Sequence, residues 1–120
     1  MKLIKAPQTL PGNNYKFSNW FETLEALTEE ACQIDFDIAL IGCGAYGFPL
    51  ASRIKKLGKK SIHLGGATQL MFGIKGKRWD KEPAFMNLYN EFWKYPSIKE
   101  KPIGYFGLDK GSYFAPDNDR

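Results

Sequence analysis

The feature that most constrains the fold is a glycine-rich turn that joins an apolar run to a helical pattern. The run Asp37–Gly42 is short, apolar and ends in glycine, which is typical of a parallel strand covered on both faces. Gly42–Gly47 matches G-x-G-x-x-G, and Phe48–Leu57 follows with a proline in its first turn and one apolar face. A second apolar run, Ser61–Gly65, comes at the distance that a β-α-β unit requires. The sequence therefore predicts an α/β fold with a small, Rossmann-like, mainly parallel sheet flanked by helices.

Two further helices are predicted from apolar residues that recur at helical spacing. The first is Asn19–Gln33, with Asn19 or Ser18 as its cap. The second is Ala84–Trp93, which Pro83 opens. The buried face expected for the first helix consists of Trp20, Phe21, Leu24, Leu27 and Ala31, and the apolar face of the second consists of Phe85, Leu88, Tyr89 and Phe92.

The length and composition favour one globular domain. The chain has 120 residues, of which 43% are apolar and 25% charged, enough to bury a core. We predict a single α/β domain over 1–120, with irregular segments at 1–17 and 95–120. Lys2–Lys5 and Ile103–Phe106 are predicted as weak edge strands. Since sheets of this type normally have five or more strands, pairing with a second copy or another subunit, or a longer parent protein, is an open expectation.

The glycine pattern has a physical purpose in ligand binding. We expect Gly42 to allow a tight turn, Gly44 to let the backbone approach a ligand, and Gly47 to allow close packing of helix on strand. Unpaired N–H groups at the start of the helix would face an anion. A phosphate or diphosphate fits these requirements.

Several cofactors are disfavoured by the residues at the other positions. A dinucleotide site needs an acidic residue at the end of the second strand, and His63–Gly66 contains none, so NAD is not expected. Gly76 and Lys77 do not complete a P-loop. We interpret Asp35–Asp37 as a solvated turn, because it lies at the opposite end of the strand from the glycine turn. No ligands for a divalent metal are identified, although a metal requirement is left open.

Positive charge is concentrated in the middle third of the chain. From Ile38 to Trp79 there are eight lysine and arginine residues and no acidic residue, whereas the formal net charge of the whole chain is only +4. We interpret Arg53–Lys60 as the solvated face and end of a helix. Lys75–Trp79 is the better candidate for binding an anion, with Trp79 stacking on a base or sugar. Nucleic acid is not expected as the anion, because the rest of the chain is acidic and no known nucleic-acid module is present.

These arguments define one predicted ligand site, made of the glycine turn, the residues after the second strand and the basic loop. We expect its members to bind the same diphosphate. They are Gly42, Gly44, Ala45, Tyr46, Gly47, Gly65, Gly66, Thr68, Gln69, Lys75, Lys77, Arg78 and Trp79. His63 is interpreted as a core or edge histidine, and no catalytic residue is assigned.

The stretches Asp37–Gly47, Leu57–Gly66 and Phe72–Trp79 resemble the C-terminal half of GT-D-type glycosyltransferase-like proteins of bacterial surface-polysaccharide clusters. The resemblance covers about Phe36 to Trp79 and, more loosely, Tyr89–Trp93. It implies a Rossmann-like domain that binds a nucleotide-sugar and transfers the sugar to a growing glycan. The acidic metal-binding motif of catalytic members has no counterpart in the N-terminal region, so binding without catalysis is equally consistent with the resemblance.

Three functional interpretations stay open at this point. The chain is a glycosyltransferase or an accessory fragment of one, a non-catalytic nucleotide-binding regulatory module, or a structural interaction domain whose glycine pattern is only a turn. No run approaches the ~18 apolar residues of a membrane helix, and the first residues lack the apolar core of a secretory signal. We therefore expect a cytoplasmic protein that binds a nucleotide-sugar or nucleoside diphosphate.

Overall fold

A computed structural model describes residues 1–10 and 16–116 and separates the chain into two units. The first unit is Met1–Thr9 with Asn14–Thr68, and the second is Leu10–Asn13 with Gln69–Arg120. Helices and a parallel sheet are both present, so the predicted α/β class is confirmed.

The first unit is organised around the predicted β-α-β arrangement. Strand β1 is Ile38–Ile41 and strand β2 is Lys60–His63, and they pair in parallel. Helix α2, Gly47–Lys56, connects them along the chain. The hydroxyl of Ser61 donates to the carbonyl of Ala51 at 2.9 Å, which fixes α2 on one face of the sheet. The apolar runs and the helical pattern between them are therefore confirmed.

The other face of the sheet is only partly covered. Ile38, Leu40 and Ile62 lie on this face, because side chains alternate along a strand and Leu40 is paired with Ile62. Their exposed fractions are 45%, 40% and 45%. The prediction that β1 is covered on both faces is therefore wrong. The sheet has two strands in the described part of the chain, and α2 packs on one side of it only.

The first predicted helix is present as α1, Trp20–Cys32. Its cap is Asn19, whose side-chain oxygen accepts from the N–H of Glu22 at 3.0 Å. Phe21 is 73% exposed, so its predicted burial is wrong. It lies at the edge of the helix face and packs edge-on against the ring of Trp20. The buried core of this unit consists of Leu24, Leu27, Ala31, Ile41, Tyr46, Leu50 and Ile54.

The second unit contains little regular structure. A 3-10 helix at Gly65–Phe72 leads into it, and helix α3 covers only Pro83–Met86. The predicted helix over Ala84–Trp93 is therefore wrong beyond its first turn. Beyond this turn the N–H of Leu88 donates to the carbonyl of Phe85 and that of Tyr89 to the carbonyl of Met86, so the chain continues in tighter turns. The end of the predicted helix is instead paired through the backbone of Lys94 with Gly73 and Lys75, and this tertiary pairing outweighs the helical pattern.

The two predicted edge strands are also wrong. Residues 1–10 contain no strand, and the ammonium of Lys2 donates instead to the carbonyl of Asp35. Ile103–Phe106 turns because Gly104 adopts a left-handed conformation with φ of 76°. Short 3-10 helices follow at Tyr105–Gly107 and Asp109–Gly111. Within residues 1–10 and 16–116, none of the helices has the length and apolar character needed to cross a bilayer.

Candidate functional site

The glycine turn of the first unit leads directly from β1 into α2. Gly44–Tyr46 forms one 3-10 turn, in which the N–H of Tyr46 donates to the carbonyl of Cys43 at 3.1 Å. The N–H of Gly47 donates to the carbonyl of Gly44. The amides of Gly44 and Ala45 come before these donors, at the place where a helix start leaves N–H groups without an intrahelical partner. An anion at this turn could therefore accept hydrogen bonds from the backbone N–H groups of Gly44 and Ala45.

Gly47 and Gly42 are both required by close packing. A Cβ on Gly47 would overlap the imidazole ring of His63 in β2, which confirms the predicted close packing of helix on strand. A Cβ on Gly42 would lie 2.5 Å from Oγ1 of Thr68 and 2.8 Å from the carbonyl oxygen of Gly65. The φ of Gly42 is not positive, so the backbone conformation does not by itself require glycine there. Gly42 instead lets the segment after β2 approach the end of β1.

Gly44 differs from the other two glycines of the pattern. Its φ is +53°, a conformation that L side chains rarely adopt, and nothing lies within 4 Å of the position of a Cβ. Gly44 and the neighbouring Ala45 are both exposed. The backbone at Gly44 is therefore open to solvent at the carboxyl end of β1.

Residues after β2 complete this edge of the sheet. The hydroxyl of Thr68 donates to the carbonyl of Ile41 at 3.3 Å, and so ties the segment to the end of β1. Gly65 adopts φ of +57° with open space at its Cβ position, and Gly66 follows it. The predicted site residues of the first unit thus meet at the carboxyl ends of the two strands, where ligands of open α/β sheets bind.

Tyr46 does not have the role predicted for it, whereas His63 is the edge histidine that was predicted. Tyr46 is 5% exposed, its ring stacks on Trp20 at 5.5 Å, and its hydroxyl donates to Thr9 at 3.0 Å. Its side chain is therefore part of the core. His63 is exposed at the last position of β2, beside Gly47, with its ring 6.4 Å from that of Phe48. The sequence signal for this position is that His63 lies near the end of the second apolar run, two residues before Gly65.

The cations of α2 lie away from the glycine turn. Arg53, Lys55 and Lys56 belong to the last turn of the helix, and Arg53 pairs with Glu25 of α1. Lys59 donates to the carbonyl of Ile34 at 3.0 Å. The predicted solvated end of a helix is confirmed for these residues, which stabilise the helix end electrostatically.

In the second unit, Lys75 is held by aromatic rings. Its ammonium lies 4.8 Å from the ring centre of Tyr89 and 5.7 Å from that of Tyr95. Both tyrosine hydroxyls donate to the carboxylate of Asp80, at 3.3 and 2.7 Å. Desolvation raises the pKa of Tyr89, and the charge of Asp80 and this hydrogen bond raise it further.

Arg78 is likewise placed over aromatic rings. Its guanidinium carbon lies 4.8 Å from the ring centre of Tyr113 and 5.3 Å from that of Trp79. One guanidinium nitrogen is 3.6 Å from Oδ2 of Asp109. The backbone N–H of Arg78 donates to the carbonyl of Ser112 at 3.0 Å. Asp109 was not predicted from the sequence, because nothing local distinguishes it from other surface carboxylates.

Lys77 and Gln69 help to build the second unit. The backbone N–H of Lys77 donates to the carbonyl of Phe114 at 3.0 Å, and its ammonium is 5.6 Å from the ring centre of Phe106. The amide nitrogen of Gln69 donates to the carbonyl of Lys75 at 2.9 Å and to that of Tyr113 at 3.2 Å. The amide donor of Gln69 is therefore engaged in holding the basic loop.

Trp79 is a core residue of the second unit. It is 8% exposed, packs against the ring of Tyr113 at 5.9 Å, and lies so close to Gly76 that a Cβ there would be 2.9 Å from its ring. The prediction that Trp79 stacks on a base or sugar is wrong for this conformation, because the ring is buried among residues of its own unit.

The predicted site residues thus fall into two local arrangements. Asp35–Asp37 lies outside both, in the solvated turn that was predicted, with the side chain of Asp35 fully exposed. Among the described side chains, no three His, Cys, Asp or Glu residues come together in a way that would hold a metal ion. The first arrangement contains Gly42, Gly44, Ala45, Tyr46, Gly47, Gly65, Gly66 and Thr68, and the second contains Gln69, Lys75, Lys77, Arg78 and Trp79.

Comparison of the chain with protein-family models, with curated proteins and with solved structures finds no match. The resemblance of Asp37–Trp79 to GT-D-type proteins stays a prediction. Any function for this chain has therefore to be argued from its own residues and their geometry.

Proposed function

We propose that the first unit binds the diphosphate of a nucleotide-sugar at the turn Gly42–Gly47, as a Rossmann-like domain does. The observation that carries this proposal is the conformation of Gly44. A left-handed, solvent-open glycine lies between the end of a parallel strand and the start of a helix. Among the positions of the turn, it is the one where glycine is required by the backbone and not by packing.

The proposed contacts are made by the backbone. The amides of Gly44 and Ala45 donate to phosphate oxygens, and the partial positive charge at the start of α2 favours the anion. Thr68 and Gly42 hold the turn against the segment after β2. His63, exposed at the same edge, is placed to offer an imidazole N–H to the ligand.

We further propose that this binding serves sugar transfer in the cytoplasm, in the synthesis of a surface glycan. The support is the resemblance carried by Asp37–Trp79, together with the glycine turn. A regulatory module would bind nucleotide at the same turn without transferring a sugar. Acceptor-dependent release of nucleoside diphosphate from a nucleotide-sugar would indicate a transferase, and its absence a regulatory module. A purely structural domain would bind no nucleotide at all.

The decisive experiment is a thermal-shift series with UDP, UDP-sugars and ADP on matched glycine variants. Gly44→Val places a side chain where the backbone must approach the ligand. Gly58→Val is the matched control, because Gly58 also has a positive φ, +81°, and open space at its Cβ position, but follows the far end of α2. Both variants carry a similar backbone cost.

A nucleoside diphosphate at ten to a hundred times its Kd should stabilise the wild type and Gly58→Val by roughly 1.4 to 2.7 kcal/mol. The Gly44→Val protein should show no such stabilisation. Absence of a shift with every nucleotide in the wild type would favour the structural-domain interpretation. Equal shifts in the two variants would place binding elsewhere than the glycine turn.

A further inference from the structure

The second unit carries an arginine whose position suggests an anion site of its own. The guanidinium of Arg78 lies over the rings of Tyr113 and Trp79, and its backbone N–H is bonded to Ser112. The ring contacts restrict the side chain, and the backbone bond fixes the residue from which it extends, before any ligand arrives. A planar guanidinium held in this way is suited to forked contacts with phosphate oxygens.

The guanidinium of Arg78 is paired with a carboxylate of the same chain. Oδ2 of Asp109 is 3.6 Å from the guanidinium nitrogen of Arg78, and the side chains of the two residues are 62% and 39% exposed. Charge-assisted hydrogen bonds between these groups are normally about 2.7–2.9 Å long. An ion pair this long and this exposed is weak, and a competing anion can displace it.

The backbone around Asp109 is held in an unfavourable conformation. Among the described residues, Asp109 and Lys110 are the two non-glycine residues with positive φ, 49° and 52°, and Gly111 follows with φ of 67°. L residues adopt this conformation at a cost, and tertiary contacts must compensate for it. One of these contacts is the hydroxyl of Ser112, which donates to Oδ2 of Asp109 at 2.6 Å.

We propose that Arg78 is the anchor of a binding site for the phosphate groups of a small diphosphate, and that Asp109 acts as its intramolecular competitor. In this structure the carboxylate of Asp109 stands where a phosphate oxygen of the ligand would stand. The ammonium of Lys77 lies beside the same turn and adds positive charge there. Its nitrogen is 3.8 Å from the position that a Cβ on Gly111 would take. The proposal goes beyond the glycine turn and does not depend on it.

The test measures pyrophosphate binding by calorimetry in proteins that differ by one charge. Asp109→Asn removes the competing carboxylate and keeps a side-chain oxygen that can accept from Ser112. Glu91→Gln is the matched control, because it removes the same charge from an exposed residue of the same unit. We expect Asp109→Asn to bind pyrophosphate about tenfold more tightly than the wild type, and Glu91→Gln to change the affinity less than twofold.

A second variant shows whether the gain depends on the guanidinium. Addition of Arg78→Gln to Asp109→Asn should abolish the gain. Equal gains in Asp109→Asn and Glu91→Gln would overturn the proposal, because they would reflect net charge alone. A gain that persists when Arg78→Gln is added would also overturn it, because the guanidinium would then not be needed. If the double variant does not fold, the comparison of the two single variants still decides.

The same comparison in a Gly44→Val background separates this proposal from the proposed function. The tenfold gain of Asp109→Asn should persist there, because both of its residues belong to the second unit. Failure of nucleotide binding at the glycine turn would leave the gain intact. If Asp109→Asn alone does not bind pyrophosphate more tightly than the wild type, the Arg78 site is rejected. That result would leave the proposal for the glycine turn unaffected.

Discussion

Gly47 in α2 lies directly against the imidazole ring of His63 in β2, with no room for a methyl group between them. This contact sets how closely the helix approaches the sheet. It also places the first turn of α2 beside the carboxyl end of β2, at the edge where the turn of Gly44 is exposed. Packing and the candidate site therefore depend on the same pair.

Gly47→Ala is expected to destabilise the protein by about 1 kcal/mol or less, because the added methyl group overlaps the ring of His63 and the exposed ring must rotate away. Urea denaturation measures the change. Gly107→Ala is the control, since Gly107 has open space at its Cβ position and an ordinary φ. Adding His63→Ala to Gly47→Ala should recover part of the loss, and a double variant with no recovery would contradict the assigned overlap.

The two cysteines should differ in reactivity. Burial raises the pKa of the Cys43 thiol above its ordinary value of 9.0, outweighing a backbone hydrogen bond that lowers it, whereas Cys32 is exposed. Because the thiolate is the reactive form, Cys32 should react with a thiol reagent at neutral pH about tenfold faster than Cys43. Cys32→Ser should leave only the slow phase, and a fast phase in that variant would contradict the burial of Cys43.

NAD and NADP should bind no more tightly than ADP. The residues at the end of β2, His63–Gly66, include no carboxylate that could accept from the ribose hydroxyls of a dinucleotide. Calorimetry with the three ligands measures this directly. Micromolar affinity for NAD beside millimolar affinity for ADP would show that the ribose is held by a residue outside this segment.

Stability should fall at alkaline pH in a way that depends on Tyr89. Its pKa is raised above 10.0 in the folded state, mainly by desolvation and then by Asp80, so the folded protein holds this proton more tightly than the unfolded chain does. The stabilisation is present below about pH 10 and is lost as the pH rises through the folded-state pKa. Urea midpoints measured from pH 9 upward should fall less steeply in Tyr89→Phe, and identical slopes would contradict this contribution.

The first unit could be predicted because its signals are local. The apolar runs of β1 and β2, the helical spacing of α2 and the cap at Asn19 each depend on residues close together in the sequence. The contact of Gly47 with the neighbouring strand also follows from the spacing of its pattern. The partly open face of β1 could not be predicted, because a continuous apolar run does not reveal how many elements cover it.

The second unit could not be predicted in the same way, because its structure depends on contacts between distant residues. Phe85–Phe92 has a helical pattern, but the helix ends after one turn, and Lys94 just beyond the pattern pairs its backbone with Gly73 and Lys75. Trp79 follows Lys77 and Arg78, a pattern that predicts stacking on a ligand. Its ring is instead packed against Tyr113, which lies 34 residues later in the sequence. Asp109 acquires its contact with Arg78 only through a left-handed turn.

The separate packing of Trp20 and Trp79 has a practical consequence for spectroscopy. Trp20 stacks on Tyr46 in the first unit, and Trp79 is buried against Tyr113 in the second. In a variant that keeps only Trp20 or only Trp79, the indole emission reports on one unit. The chain therefore contains two intrinsic fluorescent reporters, by which the order in which its halves fold can be timed without an attached dye.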